Sequence, residues 1–318
     1  MRIYFILTAM LIIVSLTVPF FTTAVNNKEK TTAATEQKAL HKEAATESDT
    51  VTVLKSATGE TVETDITDYI TGVVAGEMPA SFSEEALKAQ AVAAYTYLKY
   101  TKENTSDTLT DSSALHQSYI DKDEQKNKWG ADYGLYSSII ENAVNSVAGE
   151  YVTYDGKTAL TVFHAASTSK TNSAEEIWGR NLPYLMSVDA PSDEEFNTEL
   201  TFTSEEFKML FEEKGNISIT QKDIKKWASA VKKNDRGYIR SLKVADREFT
   251  APEIRDILSL PSVDFTGRIE NDTFIFTVKG KGHGVGMSQY SAEYMARQGK
   301  SYKDILLHFY PGTAIEKE

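Results

Sequence analysis

The chain has 318 residues, with 46 acidic against 34 basic side chains and no cysteine. That length supports one large domain or two modest ones with a core of their own, and the missing cysteines exclude disulfides and thiolate metal centres. A net charge of -12 argues against nucleic acid as a partner, because such affinity comes largely from basic residues that neutralise phosphates.

Residues 3–25 read IYFILTAMLIIVSLTVPFFTTAV, an almost wholly apolar run behind Arg2. A bilayer core needs about 20 such residues as a helix, and Arg2 holds the N-terminus on the cytoplasmic side. We expect residues 1–25 to be a transmembrane anchor with the rest of the chain outside the cytoplasm. The alternative is a cleaved signal peptide, for which Thr22-Thr23-Ala24 is a poor cleavage site. Residues 26–50 are rich in Lys, Glu, Thr and Ala and include His41. Such a stretch cannot bury enough surface to offset its ordering entropy, so it reads as a disordered linker.

The folded body is expected over 51–318. Val51–Leu54 and Glu60–Thr64 read as short strands around a turn at Thr58-Gly59. Asp65–Gly76 has helical periodicity, and Met78-Pro79 interrupts it. A second helix begins near Ser83, with Glu84 and Glu85 suiting its dipole. Lys102–Asp132 reads as an irregular surface region, Ser137–Ser146 as a helix and Thr158–His164 as a strand. Two capping boxes, Thr203…Glu206 and Thr250…Glu253, open further helices in a possible inserted lobe over about 199–260. Arg240–Val244 and Phe274–Val278 read as strands. Without a regular βαβ rhythm the class is α+β, with mixed helices, antiparallel strands and a second lobe after the N-terminal transmembrane helix.

Three runs carry chemistry. On the first helix Ile66, Ile70, Val73, Val74 and Glu77 share one stripe. A carboxyl there is desolvated, which favours its protonated form and suits a general acid. The bland alternative is a helix end that frays and turns Glu77 out to solvent. The second run, FHAASTSKTNSAEEIWG (residues 163–179), crowds His164, Ser167, Lys170 and Trp178 after a strand. Polar and aromatic groups of this kind suit a sugar groove, and an ordinary polar loop is the plainer reading. Ser167-Thr-Ser-Lys170 also fits the S-x-x-K pattern of serine acyl-enzymes, but no Lys-Thr-Gly companion follows. The third run, GKGHGVGMSQY (residues 280–290), precedes a helix starting near Ser288. Its glycines permit close backbone approach, and it fits neither nucleotide-loop pattern. His283 either acts directly or only shapes the turn. His116, His164, His283 and His308 lack metal-ligand spacing, so no metal or cofactor is expected.

These runs, with GVVAGEMPASFSEEALKAQAVAAYTY (residues 72–97), NLPYLMSV (residues 181–188) and the continuation of the third run to Thr313, resemble the stage II sporulation protein D family, which includes amidase-enhancer proteins. The resemblance implies a lytic transglycosylase of peptide-free peptidoglycan strands, active in spore engulfment beside a partner cell-wall amidase and other engulfment membrane proteins. It implies that Glu77, in the GEMP position, is the catalytic acid/base. It departs from the family where Tyr95 replaces a common Arg, Met186 a basic residue, and Thr168 and Ser169 glycines; Lys170 or Arg180 would then supply the charge. We expect His164, Ser167, Lys170, Trp178, Tyr95, His283, Ser288 and Gln289 to line the glycan groove. The membrane position implied is the sporulation septum. Two other readings stand beside it: a non-catalytic glycan-binding activator of an amidase, and a serine acyl-enzyme built on Ser167.

Overall fold

Residues 50–318, apart from 106–107 and 193–195, are described by a computed structural model. The expected anchor over 3–25, and the expected linker up to residue 49, lie outside the described residues. Among the described residues no helix is long and apolar enough to cross a membrane.

Strands β1 (Thr50–Leu54) and β2 (Thr61–Asp65) flank the turn read from the sequence, and Val51 and Val53 alternate into the core. Helix α1 (Ile66–Glu77) follows directly. The Asp65 carboxylate caps it by accepting from the Thr67 and Asp68 N–H groups, and it ends where Met78 turns extended before Pro79. Ile70, Val73 and Val74 are buried on the expected stripe, each contributing roughly 1.5–3 kcal/mol by leaving water.

Helix α2 (Glu84–Asn104) is the central pillar. Ala86, Ala89, Ala91, Ala93 and Ala94 are all buried, and these small side chains let α1, three later helices and two later strands pack against it. Its N-terminus is held from outside: the Ser83 N–H and hydroxyl both donate to Glu293. Strand β3 (Leu109–Thr110) then pairs with β1 in parallel.

The region read as irregular surface contains a helix, α3 (Lys122–Trp129), opened by a capping box between Asp121 and Glu124. Gln117 and Tyr119, just ahead of it, are buried. Helix α4 (Tyr133–Ser146) follows, then β4 (Glu150–Tyr154) and β5 (Lys157–Thr158). The strand expected over 158–164 is two short pieces, because only Phe163–His164 pairs again, as β6.

Strand β7 (Ser169–Lys170), helix α5 (Ala174–Trp178) and strand β8 (Asp189–Ala190) lead to β9 (Asn197–Thr203) and α6 (Ser204–Glu213). Next come β10 (Ala228–Lys233), β11 (Ile239–Val244), β12 (Arg247–Thr250) and α7 (Ala251–Leu258). Both capping boxes read from the sequence form, at Thr203–Glu206 and Thr250–Glu253. Strands β13 (Asp264–Glu270) and β14 (Thr273–Lys279) close an antiparallel sheet on β9, so the 199–260 segment is tied at its start to residues 264–279. Phe207 stacks on Phe274 at 3.8 Å between ring centres inside this region.

Strand β15 (Met287–Ser288) runs parallel to β6 and leads into α8 (Gln289–Arg297). Helix α9 (Tyr302–Phe309) and strand β16 (Ala314–Lys317) complete the chain, the strand pairing antiparallel with β4. The architecture is α+β with mostly antiparallel sheets, as expected, and β1–β3 and β6–β15 pair in parallel. Residues Val51–Glu318 form one compact unit.

Candidate active site

The C-terminal end of α1 opens on a cleft of ≈ 450 Å³. Glu77, Lys128, Trp129, Tyr136, Lys281 and Gln289 are among its lining residues. Among the described lining residues Glu77 is the only carboxylate.

Glu77 is half-buried, and each of its oxygens has a partner. Oε1 accepts the Ser118 N–H at 2.7 Å, and Oε2 accepts the Gln289 side-chain amide at 3.4 Å. The same Gln289 amide nitrogen donates to Gln90 Oε1 at 3.3 Å. The Ser118 contact depends on two glycines of α1. A Cβ at Gly72 would stand 2.5 Å from the Tyr119 ring, and one at Gly76 would stand 2.9 Å from Ser118 Oγ. With hydrogen at those positions, residues 118–120 lie directly on the helix, and the Ser118 N–H reaches the carboxylate.

Burial pushes the Glu77 carboxyl above the usual carboxylate range, against the Ser118 and Gln289 hydrogen bonds and the Lys128 charge, which pull it down. Lys128 is held below the ordinary lysine value by burial, with Glu77 opposing that shift. A carboxyl that holds its proton to higher pH than usual, in an open cleft, is suited to protonating a leaving oxygen. The remaining wall is aromatic: Tyr290 meets Phe82 edge-on at 5.2 Å and Phe196 at 4.7 Å, and Trp129 meets Tyr136 at 5.8 Å. Such rings give sugar faces a surface to stack on.

Of the residues expected at the site, Glu77 and Gln289 line the cleft. The other expected residues are not among its lining. His164 is buried; the Val285 carbonyl can only accept, so His164 Nδ1 carries the proton, and Nε2 accepts the Ser167 hydroxyl at 2.6 Å. His283 Nε2 donates to the Phe163 carbonyl, while its Nδ1 accepts the Val285 N–H. Burial lowers His164 to about 3, with the neighbouring His283 adding to the shift, and burial lowers His283 to about 4. Both rings are therefore neutral at ordinary pH, and Trp178 packs 5.3 Å from His283.

Ser288 is buried, accepts the Ser167 N–H and receives the Ser291 hydroxyl. Lys170 is exposed beside Asp189 at 3.6 Å, so Ser167 is bonded to a histidine and its S-x-x-K lysine is engaged elsewhere. The Tyr95 hydroxyl donates to Glu318 on another face, Met186 and Arg180 are exposed, and His308 donates to the Asp189 carbonyl. Ser169 holds φ +66°, a conformation that favours glycine, at one of the two positions where the family resemblance leads one to expect it.

Gly282 and Gly286 have φ of +107° and +73° and face the 162–164 backbone so closely that a Cβ on Gly282 would reach 2.9 Å from His164 Cβ, while one on Gly286 would overlap the Val162 carbonyl. The glycine run seats β15 against β6 and so delivers Gln289 to Glu77. Among the described residues no cluster of three or more His, Asp or Glu side chains is placed to hold a metal ion.

Sequence reasoning missed Ser118, Lys128, Trp129, Tyr136, Phe196 and Tyr290. The Asp121…Glu124 capping box was the legible signal for α3, and hence for Lys128 and Trp129.

The stage II sporulation protein family profile matches residues 54–154. Stage II sporulation protein D of Bacillus amyloliquefaciens is 36% identical over 259 residues, covering 79% of this chain and 74% of that protein. Its namesake in Bacillus subtilis (strain 168) is 34% identical over 280 residues, covering 84% and 79%. The amidase enhancer of the same strain is 26% identical over 305 residues, covering 77% of this chain and 40% of that protein.

Proposed function

The chain belongs to the stage II sporulation protein D family, and on that premise we propose that it is a peptidoglycan lytic transglycosylase with Glu77 as its single acid/base. The observation that carries this reading is a carboxyl held above its usual range at the floor of an open, aromatic-walled cleft, with no second carboxylate among the described lining residues. Protonated Glu77 gives its proton to the glycosidic oxygen as the muramic acid C1–O bond breaks. The same carboxylate then takes the proton of the muramoyl 6-hydroxyl as that oxygen bonds to C1 and closes the anhydro ring. No water attacks, so the second carboxylate of an ordinary glycosidase is not needed.

The substrate in this reading is a glycan strand freed of stem peptides. The setting is the sporulation septum, with residues 3–25 as a single-pass anchor, the domain outside the cytoplasm, and a cell-wall amidase and other engulfment proteins nearby. A second reading, a glycan-binding activator of an amidase, draws support from the relative named amidase enhancer.

Mass spectrometry of peptide-free strands incubated with the full-length chain tests the first reading. Anhydromuramoyl products are expected, with a loss of roughly 10²–10⁴-fold in Glu77→Gln. Intact strands from both proteins, with glycan still retained on the protein, would select the second reading.

A further inference from the structure

The cleft is charged against the grain of the molecule. The chain carries -12 overall, yet the described lining holds two lysines and one carboxylate. Lys128 Nζ donates to the Ala75 carbonyl at 2.8 Å, which fixes the ammonium near the end of α1 and leaves it further N–H groups to offer. Lys281 also lines the cleft. Its backbone exchanges two hydrogen bonds with Ala166, at 2.8 and 3.0 Å, and its side chain is exposed at the cleft. Among the described residues neither ammonium has a carboxylate in salt-bridge contact.

Positive charge beside Glu77 lowers its affinity for the proton that an acid catalyst must hold. A cleft built only for neutral sugars would gain nothing from two such charges. A strand without stem peptides gives them a use. Each muramic acid carries a lactyl ether, and removal of the peptide leaves that ether ending in a free carboxylate. With the peptide in place the same carbon is an uncharged amide.

Resting on the transglycosylase reading, we propose that Lys128 and Lys281 are specificity-determining residues that bind the free lactyl carboxylate, so that strands freed of peptide are selected by charge inside the catalytic cleft. A bound carboxylate also offsets the Lys128 charge that acts on Glu77, and Glu77 then holds its proton more firmly when the correct strand is in place.

The test uses the full-length chain carrying Glu77→Gln, which leaves strands uncut. Isothermal titration compares peptide-free glycan oligosaccharides with the same oligosaccharides whose lactyl carboxyls are capped as methylamides. The free acid is expected to bind about tenfold tighter or more, with a preference that fades as salt rises. Adding Lys128→Gln and Lys281→Gln should abolish the preference while affinity for the capped form persists, and Arg at both positions should restore it. Equal binding of the two forms by the parent, or an undiminished preference in the double Gln variant, would overturn the proposal. Cleavage by the unmodified chain is scored separately. Cleavage without charge preference removes only this inference, whereas charge preference without cleavage removes only the transglycosylase.

Discussion

Glu77 sits where its own ionised form is penalised. The folded carboxyl keeps its proton to higher pH than the ordinary value of 4.5. The stability it contributes is therefore complete below that value and is lost as pH rises through the folded value. Glu77→Gln should thus raise the melting temperature at pH 7, and the gain should shrink in melts run near pH 4. Activity should fall over the same rising interval, because the acid loses its proton. The histidines behave oppositely. Unfolded His164 and His283 bind protons below about 6.5, whereas the folded rings resist until about 3 and about 4, so stability declines as pH falls through that window. For His283 the full span is on the order of 3 kcal/mol. An acid titration of unfolding free energy should show this limb, and His283→Asn should flatten it. Ser169, strained at positive φ, offers a stabilising change: Ser169→Gly should add about 1 kcal/mol in denaturant unfolding.

At the scale of elements, the β15 approach to β6 tolerates no side chain. Gly286→Ala should cost roughly 3 kcal/mol or more, since positive φ and collision with the Val162 carbonyl act together. Gly299→Ala is the control: it shares a positive φ but meets nothing within 4 Å, and should cost only about 1 kcal/mol. Thermal melts of the pair separate backbone strain from steric overlap. The same elements show what the sequence could disclose. Helix α1 and its stripe were legible because Ile70, Val73 and Val74 repeat at the helical period, and the capping boxes were legible because they are local. Helix α3 hid because its face is polar, with only Gln125 buried. The environment of Glu77 hid for a different reason. Its partners Ser118 and Gln289 are 41 and 212 residues away, and no periodicity reports such distances. His164, Ser167 and His283 resembled site residues because polar groups beside glycines suit a groove equally well as a tightly bonded strand junction.

Across the whole molecule, a buried ionic network joins the 163–179 run to strands β11 and β13. Arg240 donates to Glu176 at 2.6 Å, to Asp264 at 2.7 Å and to Asn172 at 2.9 Å, and Arg236 also bonds Asn172 and the Lys170 carbonyl. Removing one partner strands the others' charge in a dry site. Arg240→Met should cost about 3–5 kcal/mol in denaturant unfolding, and an unchanged midpoint would show that the network is solvated. The Gln289 contact with Glu77 has a temporal side as well. A ribosome delivers Glu77 first and Gln289 212 residues later, in α8, the helix that also caps α2 through Glu293. The emerging chain thus has a carboxyl but no finished cleft around it. Long-range closure of this kind is slow to form, and premature termination before α8 would release a fragment with an unassembled site. Any chemistry that needs Glu77 and Gln289 together is withheld until α8 has been made.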